Sequence, residues 1–347
     1  MTRDADPAAL PLVPAALEEI TARALAQGID DLDHPVVVRG LVGDWPAVQA
    51  GRKSPEAIVS YLLSMDANRP VRMFVGTPEN EGRYFYEPGM RGFNYAVANG
   101  SLPQLLNTLL ELARSSKRQT LYMGSTPAPD LLPGFDQANR LSVVEGKPTG
   151  PGLWIGNRSR VAPHYDESNN IACAVSGSRR FTVFPPEQVA NLYVGPIDNT
   201  MAGQPSSMVD LGAPDFDRFP RFREAMRHAR SVELEPGDAI FIPALWWHGV
   251  EATGPLNVLV NYWWKVGPHD AGSPTHALGH GLLSISHLPE NERRAWRALF
   301  DHFVFRVDSD PVAHIPPEAQ GILGPSTPEL RQRIRHYLLT ALHHLSN

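Results

Sequence analysis

Pro163-His164-Tyr165-Asp166-Glu167, answered far downstream by Trp246-Trp247-His248, is the pair of segments that decides how this chain folds. Together they supply two imidazoles and one carboxylate, written as His-x-Asp and a distant His. That is the ligand set of a facial triad, which grips Fe(II) on one face and leaves the opposite positions open. Open positions admit an oxidisable co-substrate and dioxygen, so the pattern points to oxygenase chemistry. On an extended strand, residues i and i+2 point to the same side, so the spacing predicts that His164 and Asp166 grip one metal from one strand. The second imidazole must then come from a strand close in space but far in sequence. Asp238-Ala239-Ile240-Phe241-Ile242-Pro243 reads as a short apolar strand leading to His248, after a turn at Glu235-Pro236-Gly237-Asp238. By itself His-x-Asp is a weak signal, and a lone histidine is more often a satisfied structural residue. The flanks carry the weight.

Those flanks are His164-Tyr165-Asp166-Glu167-Ser168-Asn169-Asn170 and Gly177-Ser178-Arg179-Arg180-Phe181-Thr182-Val183-Phe184-Pro185-Pro186. Pro236 to Pro243, Trp246-Trp247-His248 and Val260-Asn261-Tyr262-Trp263 follow in order, and Pro35 to Leu41 with Trp45-Pro46-Ala47 precede them. Over roughly residues 30 to 265, this succession resembles the cupin-like JmjC-type Fe(II)/2-oxoglutarate oxygenases, in particular the branch of the asparaginyl hydroxylase that inhibits hypoxia-inducible factor. The resemblance implies a double-stranded β-helix, a jelly-roll barrel whose mouth holds Fe(II) on His164, Asp166 and His248. It implies 2-oxoglutarate as co-substrate and dioxygen as oxidant. In the family, a basic residue fifteen positions after the first metal histidine holds the far carboxylate of 2-oxoglutarate, and here that position is Arg179. Members close to the asparaginyl hydroxylase carry lysine there; arginine keeps the charge and can pair bidentately, but is bulkier. Read from the residues alone, Arg179 is also compatible with an exposed strand charge beside Arg180. Tyr122 matches a tyrosine that helps bind the same carboxylate, and Asn170 and Asn261 match amides facing co-substrate and metal. One position departs from the pattern: Val161 stands where the family has threonine. That removes a hydroxyl contact and predicts weaker affinity for 2-oxoglutarate.

Composition sets the bounds. The 347 residues, 42% of them apolar, suffice for a large core, and no run of 18 or more apolar residues suggests a membrane span. The charged start, Met1 to Pro7, lacks the apolar core of a signal peptide, and Cys173 is the only cysteine, so a cytoplasmic protein without intrachain disulfides is expected. A net charge of −6 argues against a broad nucleic-acid surface while leaving room for a local basic patch. Phosphate-binding glycine loops, His-Glu-x-x-His and paired cysteine clusters are absent, so nucleotide hydrolysis and zinc proteolysis have no support in the sequence.

The organisation reads as mainly β with flanking α: a barrel domain over residues 1–270 with N-terminal helices, then a helical region over 271–347. Helices are expected from Pro14 to Gly28, from Pro55 to about Met65 and from Ser101 to Ala113. Strands are expected at Pro35–Leu41, Val71–Val75, Arg83–Tyr86 and repeatedly from Gln119 onward. The segment Asn199 to Arg230 interrupts the strands, as a lid over the substrate entrance or as a structural crossover. Trp246 and Trp247 are expected to pack the barrel wall beside the metal. His276 and His280 have chelating spacing but no third ligand nearby, and read as a solvated helix face. Leu330, Ile334, Tyr337, Leu338, Ala341, Leu342 and Leu345 form an apolar stripe on the last helix, to be buried on the barrel or in a homodimer. The resemblance favours the homodimer through these C-terminal helices. It also favours a protein or peptide side chain as substrate, with tRNA or a small molecule as alternatives. A cupin-fold metal- or ligand-binding protein without turnover is the competing class.

Overall fold

The structure is a computed structural model that describes residues 13–201 and 203–345. The charged segment Met1 to Pro7 lies outside the described residues. Contacts divide the chain into two units, Met1–Lys265 and Val266–Asn347. Among the described residues, no helix is long and apolar enough to cross a membrane.

In chain order the first unit holds strands β1 (Ala15–Ala16) and β2 (Glu18–Glu19), helix α1 (Ala22–Gly28), strand β3 (Val36–Val38), and helices α2 (Pro46–Lys53) and α3 (Pro55–Leu63). Strands β4 (Pro70–Gly76) and β5 (Tyr95–Ser101), helix α4 (Leu102–Arg114), strand β6 (Thr120–Pro127) and short helices α5 (Ala128–Leu131) and α6 (Phe135–Ala138) follow. Next come β7 (Pro151–Gly156), β8 (Ser159–His164), β9 (Asn169–Ser176) and β10 (Arg179–Phe184). Helix α7 (Phe222–His228) precedes β11 (Arg230–Leu234), β12 (Ala239–Ile242), β13 (Trp247–Ala252) and β14 (Asn257–Trp264).

A five-stranded sheet, β1-β11-β10-β13-β8, faces a nine-stranded one, β2-β3-β12-β9-β14-β7-β6-β4-β5. From β8 to β14 the chain passes back and forth between the two, the winding of a jelly roll, so the architecture is the mainly-β one with flanking helices. Strand periodicity sorts the side chains. On β9, Ile171, Cys173 and Val175 join the helices' core with Ile58, Leu62, Leu105 and Leu109, while Ala172 and Ala174 join Phe181, Val183 and Ile240 between the sheets. The same alternation on β14 sends Val258, Val260 and Tyr262 toward the helices and leaves Asn261 and Trp263 facing the barrel interior.

Three local expectations are corrected. The helix foreseen from Pro14 begins only at Ala22, capped by the Thr21 hydroxyl. Before it the chain is extended, because Ala15 and Ala16 pair with β11 and Glu18 and Glu19 with β3, burying Leu17 between the sheets. Arg83–Tyr86 is not a strand; it carries only isolated bridges, Arg83 to Arg160 and Tyr86 to Phe93. The strand of Pro35–Leu41 is confined to Val36–Val38, since Gly40 at φ 68° turns the chain away.

The second unit carries α8 (Pro274–Ser284), α9 (Glu290–Phe303) and α10 (Pro328–Leu345). Among its described residues only Pro311 and Val312 are buried. Leu278, Leu283, Trp296 and Leu299 are exposed, and of the stripe foreseen on the last helix Leu330 and Ile334 are half-buried while Tyr337, Leu338 and Leu342 are exposed.

Candidate metal centre and its pocket

His164 is the last residue of β8, and His248, near the start of β13, is its direct partner across the strands. Asp166 lies just past the end of β8, in the turn rather than on the strand as the spacing suggested. A β-bulge makes this possible. Val250 pairs with Val161 and His248 with His164, so Ala162 and Pro163 together oppose Gly249. The extra residue shifts the phase of β8, and Val161 and His164, three positions apart, both reach the same cavity.

One nitrogen or oxygen of each of His164, Asp166 and His248 can be chosen so that all lie within 4.8 Å of one another, the arrangement of a metal-binding group. His164 Nδ1 is 3.0 Å from the Ala162 carbonyl oxygen and His248 Nδ1 is 3.1 Å from that of Trp246. A carbonyl only accepts, so Nδ1 carries the proton in both rings and each Nε2 keeps its lone pair for a ligand bond. Asp166 Oδ2 accepts from the Trp263 indole N–H at 2.9 Å and from the Asn170 amide at 3.4 Å. Burial, with His164 alongside, holds the His248 imidazolium well below the usual range, against the smaller pull of Asp166. Its ring is therefore neutral, as a metal ligand must be. The loop bearing Asp166 is tied to the turn before β13: Leu245 N–H donates to the Asp166 carbonyl at 2.8 Å and Ala244 N–H to Asn169 Oδ1 at 3.0 Å.

Arg179 starts β10 and points into the barrel, 4% exposed, while Arg180 faces out to Glu233 and Glu251. The exposed-strand reading of Arg179 is thereby excluded. Its Nε has no hydrogen-bond partner and it makes no ion pair among the described residues. Desolvation lowers its pKa, and the one opposing influence is the Tyr122 phenol, itself pushed up by burial. A buried guanidinium without a counter-charge is costly, which marks this end of the cavity as suited to an anion. A relay of amides joins the wall to the carboxylate: Trp154 Nε1 donates to Asn261 Oδ1 at 2.7 Å, and Asn261 Nδ2 to Asn170 Oδ1 at 3.3 Å.

All seven residues named from the sequence, Tyr122, His164, Asp166, Asn170, Arg179, His248 and Asn261, line one cavity of about 690 Å³. Val161 lines it too, as does Val250, its partner across the strands. The donor set suits a divalent first-row metal bound from one side. Trp263 and Trp154 were not foreseen; Trp263 was accessible, since it stands two residues beyond Asn261 on the same strand face. The interrupting segment contributes Met201, Gly203, Gln204 and Ser206 to the cavity, and Ser207 N–H straps it to the Pro163 carbonyl at 2.7 Å. Trp246 and Trp247 do not line the cavity. Trp247 is buried among Phe184, Leu192 and Phe222, and the Trp246 indole donates to the Asp33 carbonyl at 2.8 Å. His276 and His280 lie on α8 and belong to no metal-binding group among the described residues.

Comparison with known proteins agrees with this geometry. A family model described as a cupin-like domain matches residues 25–270. The lysine-specific demethylase JMJ31 of Arabidopsis thaliana is 32% identical over 307 residues, 80% of this chain and 54% of that protein. Human HSPB1-associated protein 1 is 35% identical over 148 residues, 42% of this chain and 30% of that protein. The mouse tRNA wybutosine-synthesizing protein 5 is 36% identical over 145 residues, 38% of this chain and 43% of that protein. The chain thus spans between 30% and 54% of the length of these relatives. With more than half of its length matched, and with a jelly roll that brings two histidines and a carboxylate together at the mouth, this chain belongs to the cupin-like family of JmjC type.

Proposed function

We propose that the protein is an Fe(II)- and 2-oxoglutarate-dependent oxygenase that hydroxylates a protein or peptide side chain. The observation that carries this reading is the pairing, in one cavity, of a three-residue metal-binding group with a buried, unpaired arginine. His164 and His248 through Nε2, with Asp166, would hold the metal, and Arg179 and Tyr122 would hold the far carboxylate of the co-substrate. When bound, iron, 2-oxoglutarate and dioxygen supply the oxidation, with succinate, carbon dioxide and a hydroxylated C–H position as products. The protein's own part is positional. The carbonyls of Ala162 and Trp246 fix the two imidazole tautomers. Trp263 and Asn170 hold one oxygen of Asp166 and so set the orientation of the other. Asn261, anchored by Trp154, would present a polar wall to the co-substrate.

One relative's name mentions tRNA wybutosine synthesis, so tRNA is the main competitor within the oxygenase class, whereas the lysine-specific demethylase is named for an amino-acid side chain. The binding-protein reading draws on Val161, whose apolar side chain lines the cavity. Calorimetry on Mn(II)-loaded protein tests the co-substrate site on which the oxygenase reading depends. The oxygenase reading expects 2-oxoglutarate to bind the loaded protein and the Arg179→Ala variant to bind it about a hundredfold more weakly. Binding that ignores both metal and Arg179 would remove the co-substrate from this cavity.

We further propose a homodimer through α8–α10. Those helices have formed apolar faces that their own unit leaves exposed, Trp296 at 44% and Leu338 at 42%.

A further inference from the structure

The cavity has two arginines, and the proposed function uses only one. Arg72, on β4, lines the same cavity as the metal-binding group, and Asp166 is the single carboxylate among the described residues that line it. Strand alternation puts Arg72 and Phe74 on the cavity face and turns Val71 and Met73 toward the helices. The Arg72 guanidinium lies 5.2 Å from the Phe74 ring centroid and makes no ion pair among the described residues. Phe74 meets Tyr95 edge to face at 5.3 Å and Tyr122 at 6.2 Å, so an aromatic wall runs inward from Arg72. Outward, Val97 sits opposite Phe74 and Asn99 opposite Arg72 on β5, and opposed residues share a face. Val97 is 49% exposed, and β5 is the outermost strand of its sheet.

We propose that this strip, Arg72 with Phe74 and Val97, is a docking site for an acidic peptide segment. A carboxylate of the segment would pair with Arg72 and an apolar neighbour would lie on Phe74 and Val97. The inference rests on the oxygenase reading, because that reading assigns Asp166 to metal and Arg179 to co-substrate and leaves Arg72 without a counter-charge. Charge complementarity selects the occupant. One guanidinium matches one carboxylate bidentately, and with no lysine and only one other arginine among the described residues that line the cavity, successive phosphates would find no track there.

The test uses full-length protein loaded with Zn(II), so that no oxidation intervenes. Two pools of acetylated, amidated hexapeptides serve as probes, one with Asp or Glu fixed at a single position and its sister with Asn or Gln there. Retention is read by affinity selection and mass spectrometry. The wild type is expected to retain the acidic pool about tenfold over its sister. Arg72→Gln brings the ratio near one, and Arg72→Glu favours a third pool with Lys at that position. Mn(II) binding by both variants controls for folding. Equal retention of acidic and amide pools by the wild type, or a ratio unchanged in Arg72→Gln, overturns the proposal. Mononucleotides retained in place of acidic peptides, in an Arg72-dependent way, overturn it as well. Loss of 2-oxoglutarate binding from the Mn(II) protein would defeat the oxygenase reading alone, since peptide retention is read independently of it.

Discussion

At the scale of residues, the metal-binding group is held by partners that do not themselves face a metal. Trp263 donates to Asp166 Oδ2 at 2.9 Å. Trp263→Phe removes that hydrogen bond while keeping an aromatic ring, and Mn(II) affinity is expected to fall about tenfold, as is usual when a ligand's outer partner is lost. Calorimetric titration of the variant checks it. Val161 gives a prediction of opposite sign. Val161→Thr adds to the cavity wall the hydroxyl that the family resemblance places there, and one added hydrogen bond of about 1 kcal/mol corresponds to roughly fivefold tighter 2-oxoglutarate. Titration of the Mn(II)-loaded variant with 2-oxoglutarate would show it. His164, Asp166 and His248 could be singled out only because their flanks lifted a weak His-x-Asp signal, and Arg179 only through the resemblance those flanks carry; the structure gathers all four in one cavity. The aim of His164 was not legible, since the extra residue at Ala162-Pro163 has no sequence signal apart from the pairing with Gly249. Trp263 was within reach of the same reasoning, since strand alternation from Asn261 puts it on the cavity face.

Elements were legible where they carry a cap and a long apolar face. Ser54 and Ser101 accept from Ala57 and Gln104 N–H, and α4 buries Leu102, Leu105, Leu106 and Leu109 as its spacing requires. Two-residue strands have no such signature. Ala15–Ala16 and Glu18–Glu19 are extended only because two sheet edges offer them backbone partners. The helix α2 also escaped the sequence, and its fit against the barrel depends on one missing side chain. A Cβ on Gly51 would collide with the Val175 carbonyl oxygen and press on Ser176 Cβ at 3.0 Å. Backbone on the β9 side cannot rotate away, so Gly51→Ala is expected to destabilise the protein by about 2 kcal/mol. A urea midpoint shift with unchanged m-value would show it.

At the scale of the whole molecule, the jelly roll and the family were readable because motifs recur in order along most of the chain. Assembly was not readable in the same way, because an apolar stripe does not say what covers it. Leu299 and Leu338 are 44% and 42% exposed in a unit where only Pro311 and Val312 are buried among the described residues. Light scattering is expected to give twice the chain mass of 38.2 kDa, and Leu299→Arg with Leu338→Arg to give the single mass. A wild-type monomer would refute the dimer without touching the site. The central claim is the oxygenase chemistry, and its most direct measurement is succinate formed from 2-oxoglutarate under air with added Fe(II) and ascorbate. Steady succinate production by the wild type, abolished in Asp166→Ala, is the predicted result. Succinate released equally by Asp166→Ala would contradict the account, as would a wild type that neither turns over nor binds 2-oxoglutarate.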